Sequence, residues 1–166
     1  MTIIDEYLDY HVRYAEEYGE NTCVLMQIGH FFEAYAVDNA KEQINSDNIY
    51  RLSDIMNIQL TRKNKNIQDN NRGNPLMIGV NMLSIDKYIQ ILLNSNYTIV
   101  LIEQVTPPPE PDRKVTAIYS PGTNITHLTK GDTNNLVAIY MENVRDIKNM
   151  MDILYMGLSS IDLSTG

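Results

Sequence analysis

The sequence predicts an α/β chain, in the looser α+β sense, from three observations. Short apolar runs of strand length alternate with amphipathic helical stretches through residue 119. Hydrophobic residues make up 43% and charged residues 20%, enough to bury a core. After residue 125 the texture changes to two strand patterns, which reads as the start of a second unit. The expected organisation is one domain over residues 1–124 and the beginning of another over 125–166, with its remainder missing.

The first element is an amphipathic helix over residues 3–18, with Ile4, Leu8, Val12, Ala15 and Tyr18 near helical spacing and Gly19 just past its end. Residues 23–28, Cys-Val-Leu-Met-Gln-Ile, read as a buried strand. Gly29-His30 marks a turn, and extended chain resumes over residues 31–35. A helical stretch follows from Asp38, capped by Asp38 or Asn39, and runs irregularly to Met56 with a break at residues 45–48. Residues 58–61 suit a short strand, and the polar, Asn-rich segment 62–75 suits a loop. Residues 76–80 read as a strand, and Ser84 suits the cap of a helix over 85–94. Residues 97–105 give the strongest strand signal in the chain. Pro107-Pro108-Pro109-Glu110-Pro111 is a stiff connection. Arg113–Tyr119 is a further strand, closed by Ser120-Pro121-Gly122-Thr123. Residues 136–141 and 154–161 are the two strands of the second unit.

Several function classes are disfavoured at once. No apolar run reaches the roughly 18 residues of a membrane-spanning helix. The acidic N-terminus lacks the pattern of a signal peptide. The single Cys23 forms no internal disulfide, so an intracellular, reducing compartment is expected. There is no G-x-x-x-x-G-K-[ST], G-x-G-x-x-G or H-E-x-x-H, and His11, His30 and His127 are isolated. Ser164 lies outside any nucleophile elbow, and Cys23 sits in an apolar strand where a small buried hydrophobe is the plain reading. No catalytic residue, metal site or cofactor is expected within these residues.

A net charge of −8 disfavours strong nonspecific nucleic-acid binding, which depends on cations meeting phosphates. The charge is uneven. Residues 1–20 hold six acids against Arg13, whereas residues 61–72 hold Arg62, Lys63, Lys65 and Arg72 against Asp69. Such a loop is either simply solvated or faces a polyanion locally.

The chain has two phenylalanines and no tryptophan, and the phenylalanines are adjacent, at Phe31 and Phe32, between a glycine turn and Glu33. In extended chain Phe31 and Glu33 point one way, while Phe32 and Ala34 point the other. Phe32 then anchors in the core, and Phe31 and Glu33 project together. A ring beside a carboxyl suits a flat, partly polar ligand such as a nucleobase: the ring stacks and the carboxyl bonds a base edge. The plainer alternative is two core phenylalanines beside a solvated glutamate.

The surroundings of this pair favour the first account. Gly29-His30-Phe31-Phe32-Glu33 resembles the Gly-Asp-Phe-Tyr-Glu segment of MutS-type DNA mismatch-repair proteins. Further stretches are similar to that family in the same order. Residues 7–18 resemble its leading helix and 24–28 the strand before the motif. Residues 58–63 resemble its Leu-Thr-Lys-Arg segment, and Met77-Ile78-Gly79-Val80 its Met-Ala-Gly-Ile stretch. Ile102-Glu103-Gln104-Val105 resembles its Glu-Gln strand end. Arg113-Lys114-Val115 with Ser120-Pro121-Gly122-Thr123 resembles its Arg-Lys-Val and Thr-Pro-Gly-Thr pair, and 135–140 with 158–166 resemble the opening of its connector domain. The departures are His30 for an acid, Phe32 for a common Tyr, Asn81-Met82-Leu83 for Pro-Tyr-His, and extra sequence at 45–52, which suggest a divergent branch.

The resemblance implies a mixed β-sheet flanked by helices, followed by the first strands of an α/β connector domain. It implies that Phe31 wedges from the minor groove onto a mispaired base and that Glu33 hydrogen-bonds to it. Gly29 then serves as the turn and Phe32 as the anchor. Arg62, Lys63, Lys65 and Arg72 are weaker candidates for contacts to the DNA backbone, and Met77 for packing near the mispair. The implied partners are duplex DNA carrying a mismatch or lesion and, in the full-length protein, a dimer partner. The family's ATPase, with its ATP and Mg, would lie downstream, so this fragment is not expected to be an enzyme. An interaction or scaffold domain that kept the fold but lost mismatch reading is the alternative function.

Overall fold

The computed structural model describes residues 2–123 and 135–162. The chain divides into two compact units, Met1–Pro121 and Gly122–Gly166, and each is described by itself. The boundary expected at 124/125, with His127 and Ser164, lies outside the described residues.

Helix α1 spans Ile3–Tyr18. Its start is a reciprocal cap: the Asp5 N–H donates to Thr2 Oγ1 at 3.2 Å, and the Thr2 N–H donates to Asp5 Oδ2 at 2.9 Å. Its end is Gly19 at φ 88°, a conformation open to glycine without penalty. The buried stripe differs from the expected one. Ile4, Tyr7, Leu8, His11 and Tyr14 face inward, whereas Val12 and Tyr18 are exposed. The large rings of Tyr7 and Tyr14 fill the space against the sheet and rotate the helix away from the Val12 stripe.

Strands β1 (Thr22–Ile28) and β2 (Phe31–Asp38) form a hairpin whose two-residue loop places Gly29 at φ 60°. The helix expected from Asp38 is corrected here. β2 continues to Asp38, a short β3 (Gln43–Ile44) pairs back onto it, and α2 begins only at Ser46 and runs to Met56. Asn39 closes a turn rather than capping a helix: its Oδ1 accepts the Lys41 and Glu42 N–H groups at 2.9 and 3.0 Å, and the chain returns to pair Ile44 with Val37. Asn45, at φ 58°, makes the left-handed step into α2.

Strands β4 (Thr61–Arg62) and β5 (Leu76–Asn81) follow, with α3 at Ile85–Asn94 after a 3₁₀ turn. Ser84 makes no side-chain cap; Asn81 Oδ1 accepts the Leu83 N–H at 2.9 Å instead. Strands β6 (Thr98–Gln104) and β7 (Arg113–Tyr119) complete a mixed sheet in the order β4-β5-β2-β1-β6-β7, with β3 beside β2. Only β1–β6 is parallel among these pairs. α1 packs on β1 and β2, and α2 and α3 pack on β2, β5 and β6. Val24, Met26, Ile78, Ile99 and Ile102 are fully enclosed at the centre of the sheet.

In the second unit, β8 (Asn135–Asp146) and β9 (Met151–Asp162) form one antiparallel hairpin, longer than the two expected strands. No helix among the described residues is long and apolar enough to cross a membrane.

Candidate nucleic-acid interface

The β1–β2 hairpin positions the Phe-Phe-Glu segment, and strand alternation splits it as expected. Phe32 is 3% exposed and belongs to the core, while Phe31 is 48% exposed at the very start of β2. Glu33 is half-buried on the Phe31 face. Across the ladder to β5, Phe31 stands opposite Asn81, Glu33 opposite Gly79 and Tyr35 opposite Met77. Directly opposed residues share a face, so these six positions form one strip two strands wide.

The two ends of the strip differ. At the Tyr35 end α1 covers it: the Tyr7 ring meets the Tyr35 ring edge-on, with centroids 5.1 Å apart at 80°. At the other end Phe31, Gly79 and Asn81 are exposed. Glu33 lies between, and the Tyr35 hydroxyl donates to its Oε2. The carboxyl is therefore partnered rather than loose, which offsets the cost of half-burying it. Met77 is partly buried on the same strip, against Tyr35.

The hairpin tip is tied down from several sides. Gln27 Nε2 donates to the Gly29 carbonyl at 3.1 Å, and Gln27 Oε1 accepts the Gln104 N–H at 3.0 Å. Arg113 Nε donates to the Gln27 carbonyl at 3.2 Å. The Met82 N–H donates to the His30 carbonyl at 2.9 Å, so the end of β5 braces the turn before Phe31. Phe31 thus projects from backbone held on both sides.

The basic residues lie elsewhere on the sheet. Thr61 pairs with Met77 and Arg62 with Leu76, so the chain leaves β4 at the end of β5 remote from Asn81. The length of β5 puts the start of the basic loop roughly 16 Å along the strand direction from the Phe31 row. Arg62 and Lys65 line one cleft of about 330 Å³ with Tyr50, Leu60, Thr61 and Leu76. Arg62 Nε is buried there without a hydrogen-bond partner among the described residues. Lys63 and Lys65 are exposed and carry no ion pair among the described residues.

Arg72 does not join them. Its guanidinium bonds Asp5 of α1 at 2.9 Å and Glu42 at 2.5 Å. These contacts hold the Asp5 and Glu42 carboxyls below their usual range, chiefly through the hydrogen bonds from Arg72. The loop itself is built around Asn74, 5% exposed. Asn74 Nδ2 donates to the carbonyls of Ile67 and Asp69, and its Oδ1 accepts the Asn64 N–H.

Three features escaped the sequence reading: the Tyr35 hydroxyl on Glu33, the bare position opposite Glu33 at Gly79, and the capture of Arg72. Alternation could have placed Tyr35 on the Glu33 face. No local signal reports the other two, because each depends on residues distant in sequence.

The comparisons with known proteins agree with one another. The family model for MutS domain I matches residues 9–127. The chain is 32% identical, over 99% of its length, to a mutS homologue of Acanthamoeba polyphaga mimivirus, of which it covers 14%. It is 28% identical to the DNA mismatch repair protein MutS of Petrotoga mobilis, over 86% of this chain and 16% of that protein. It is 30% identical to MutS of Streptococcus sanguinis, over 98% of this chain and 16% of that protein. The chain thus spans about one-sixth of the length of the relatives it matches.

Proposed function

Because the chain belongs to the MutS family through MutS domain I, we propose that it is the mismatch- or lesion-recognition module of a DNA mismatch-repair protein. The observation that carries this reading is the split of two adjacent phenylalanines: Phe32 is sealed in the core, while Phe31 stands half-exposed beside Glu33 on a braced hairpin. A benzyl ring presented in this way is a stacking platform worth about 1–3 kcal/mol against a base. Entering from the minor groove, it unstacks one step at a cost of a few kcal/mol. A mispaired or damaged step has already lost part of that stacking and pairing, so the same wedge enters it more cheaply. Glu33 supplies the hydrogen bond to the displaced base edge.

Backbone contacts come from Lys63 and Lys65, with Arg62 in the cleft beside them. Their row lies roughly 16 Å from Phe31, about five phosphates along one strand, so they grip the duplex away from the mispair. The full-length protein, on this reading, is a dimeric ATPase whose ATP and Mg are held outside these residues. A reducing, intracellular compartment fits Cys23, a fully enclosed free thiol pushed up to about 12 by burial.

The test is Phe31→Ala in the full-length protein, with binding measured to a duplex carrying one mispair and to its matched counterpart. Wild type prefers the mispaired duplex and the variant does not; equal discrimination by both defeats the assignment. The net charge of −8 favours the second reading, an interaction domain of the same fold. A domain of that kind shows no salt-sensitive preference for the mispaired duplex.

A further inference from the structure

Tyr35 lies two residues after Glu33 on the same face of β2, and its hydroxyl reaches back along the strand to donate to Glu33 Oε2. The ring has little freedom. It is 4% exposed and meets the buried Tyr7 edge-on, while the Tyr7 hydroxyl is itself fastened to the Val24 carbonyl at 3.1 Å. Asn45 Nδ2 donates to the Tyr35 carbonyl at 2.7 Å, which holds the backbone as well. Burial, and then the bond to Glu33, raise the Tyr35 hydroxyl far above its ordinary range, so it keeps its proton and remains a donor.

The other carboxyl oxygen has a different setting. Glu33 Oε1 accepts no hydrogen bond among the described residues and lies above Gly79, 3.9 Å from where a Cβ on that residue would stand. Gly79 is exposed, so this oxygen lies over an uncovered position of the strip. A carboxylate has acceptors only. With Oε2 engaged from within the protein, Oε1 is the oxygen left wholly to a ligand, on the sheet face that also carries Phe31.

We propose that Tyr35 is a positioning residue that presents Glu33 as a one-oxygen acceptor, biasing the site toward displaced bases whose facing edge carries an N–H. Thymine N3–H and guanine N1–H meet that description; a purine N7, an acceptor, does not. This inference rests on the wedge reading of Phe31 and Glu33. The advantage is preorganisation: a free glutamate must be ordered when the base arrives, whereas this one is ordered beforehand.

The experiment uses the full-length protein as wild type, Tyr35→Phe, Glu33→Ala and the double variant, with Phe31→Ala as reference. The readout is the ratio of affinities for a duplex with one unpaired thymine and for the matched duplex, at fixed salt. Tyr35→Phe keeps the packed ring and removes only the hydroxyl. It is expected to lower the ratio about 3- to 10-fold, the size of one net hydrogen bond, and to add nothing in the Glu33→Ala background. Replacing the thymine with N3-methylthymine, which lacks the N–H, is expected to reduce wild-type preference and to leave Tyr35→Phe nearly unaffected. An unchanged ratio in Tyr35→Phe, an equal loss in both backgrounds, or no wild-type distinction between the two thymines overturns the role of Tyr35. In those cases loss of preference in Phe31→Ala leaves the wedge standing. Full preference in Phe31→Ala overturns the wedge itself.

Discussion

Gly79 stands directly opposite Glu33 in the β2–β5 ladder, and a Cβ built on it would lie 3.4 Å from Glu33 Cγ. The glutamate side chain therefore lies across a neighbour that has no side chain. Glycine ordinarily weakens a strand, so its place here is read as room for Glu33.

From this contact, Gly79→Ala is expected to leave unfolding stability unchanged or slightly raised, since 3.4 Å is ordinary contact distance for one methyl. Gly79→Val adds an isopropyl group beside the carboxyl, two methyls more than alanine. It is expected to keep thermal stability and to reduce the preference for mispaired over matched duplex severalfold. Competition binding beside a thermal melt checks both halves, and a valine variant with full preference would count against the Glu33 contact.

The adjacent phenylalanines are expected to separate stability from binding. Phe32→Ala deletes a 3%-exposed core ring and should cost about 3–5 kcal/mol in denaturant unfolding. Phe31→Ala deletes a ring already 48% exposed and should cost less than about 1 kcal/mol. Equal costs would show that both rings are structural.

His11 gives the fold a pH dependence. It is 7% exposed, its ring lies parallel to Tyr7, and its Nδ1 is buried without a partner among the described residues. Burial lowers its pKa from 6.5 to about 4. The unfolded chain takes up this proton first on acidification. Stability is therefore full above about 6.5 and falls as pH drops toward 4, by roughly 2–3 kcal/mol. His11→Leu should flatten unfolding free energy across that window, with the carboxylates Asp5 and Glu42 acting at lower pH. A variant as acid-sensitive as wild type between pH 6.5 and 4 would contradict this.

Arg72 and the nearby lysines should behave differently toward duplex DNA. Lys63→Ala and Lys65→Ala are each expected to reduce the slope of log affinity against log salt by about 0.9. Arg72→Ala should leave that slope unchanged, because its guanidinium already serves Asp5 and Glu42. Its effect should appear in stability instead. The two carboxyls with lowered pKa contribute above the ordinary carboxylate range, and that contribution is lost as pH falls through it. Acid titrations of wild type and Arg72→Ala should converge at low pH.

The amino-acid sequence by itself determined the order of the longer helices and strands, the end of α1, the glycine turn, and the opposite facing of Phe31 and Phe32. Each is a local matter: side-chain period, capping chemistry and the freedom of glycine act within a few residues. The start of α2 differs from the expected Asp38 because an Asx residue suits a turn as well as a helix cap, and the return of β3 onto β2 decides between them. Only the tertiary structure decided which stripe of α1 is buried, where Tyr35 donates its hydroxyl, that Gly79 faces Glu33, and that Arg72 is captured by Asp5 and Glu42. Strand register, the covering helix and an ion pair closed across the chain are set by packing between distant segments, and no short stretch of sequence contains both partners.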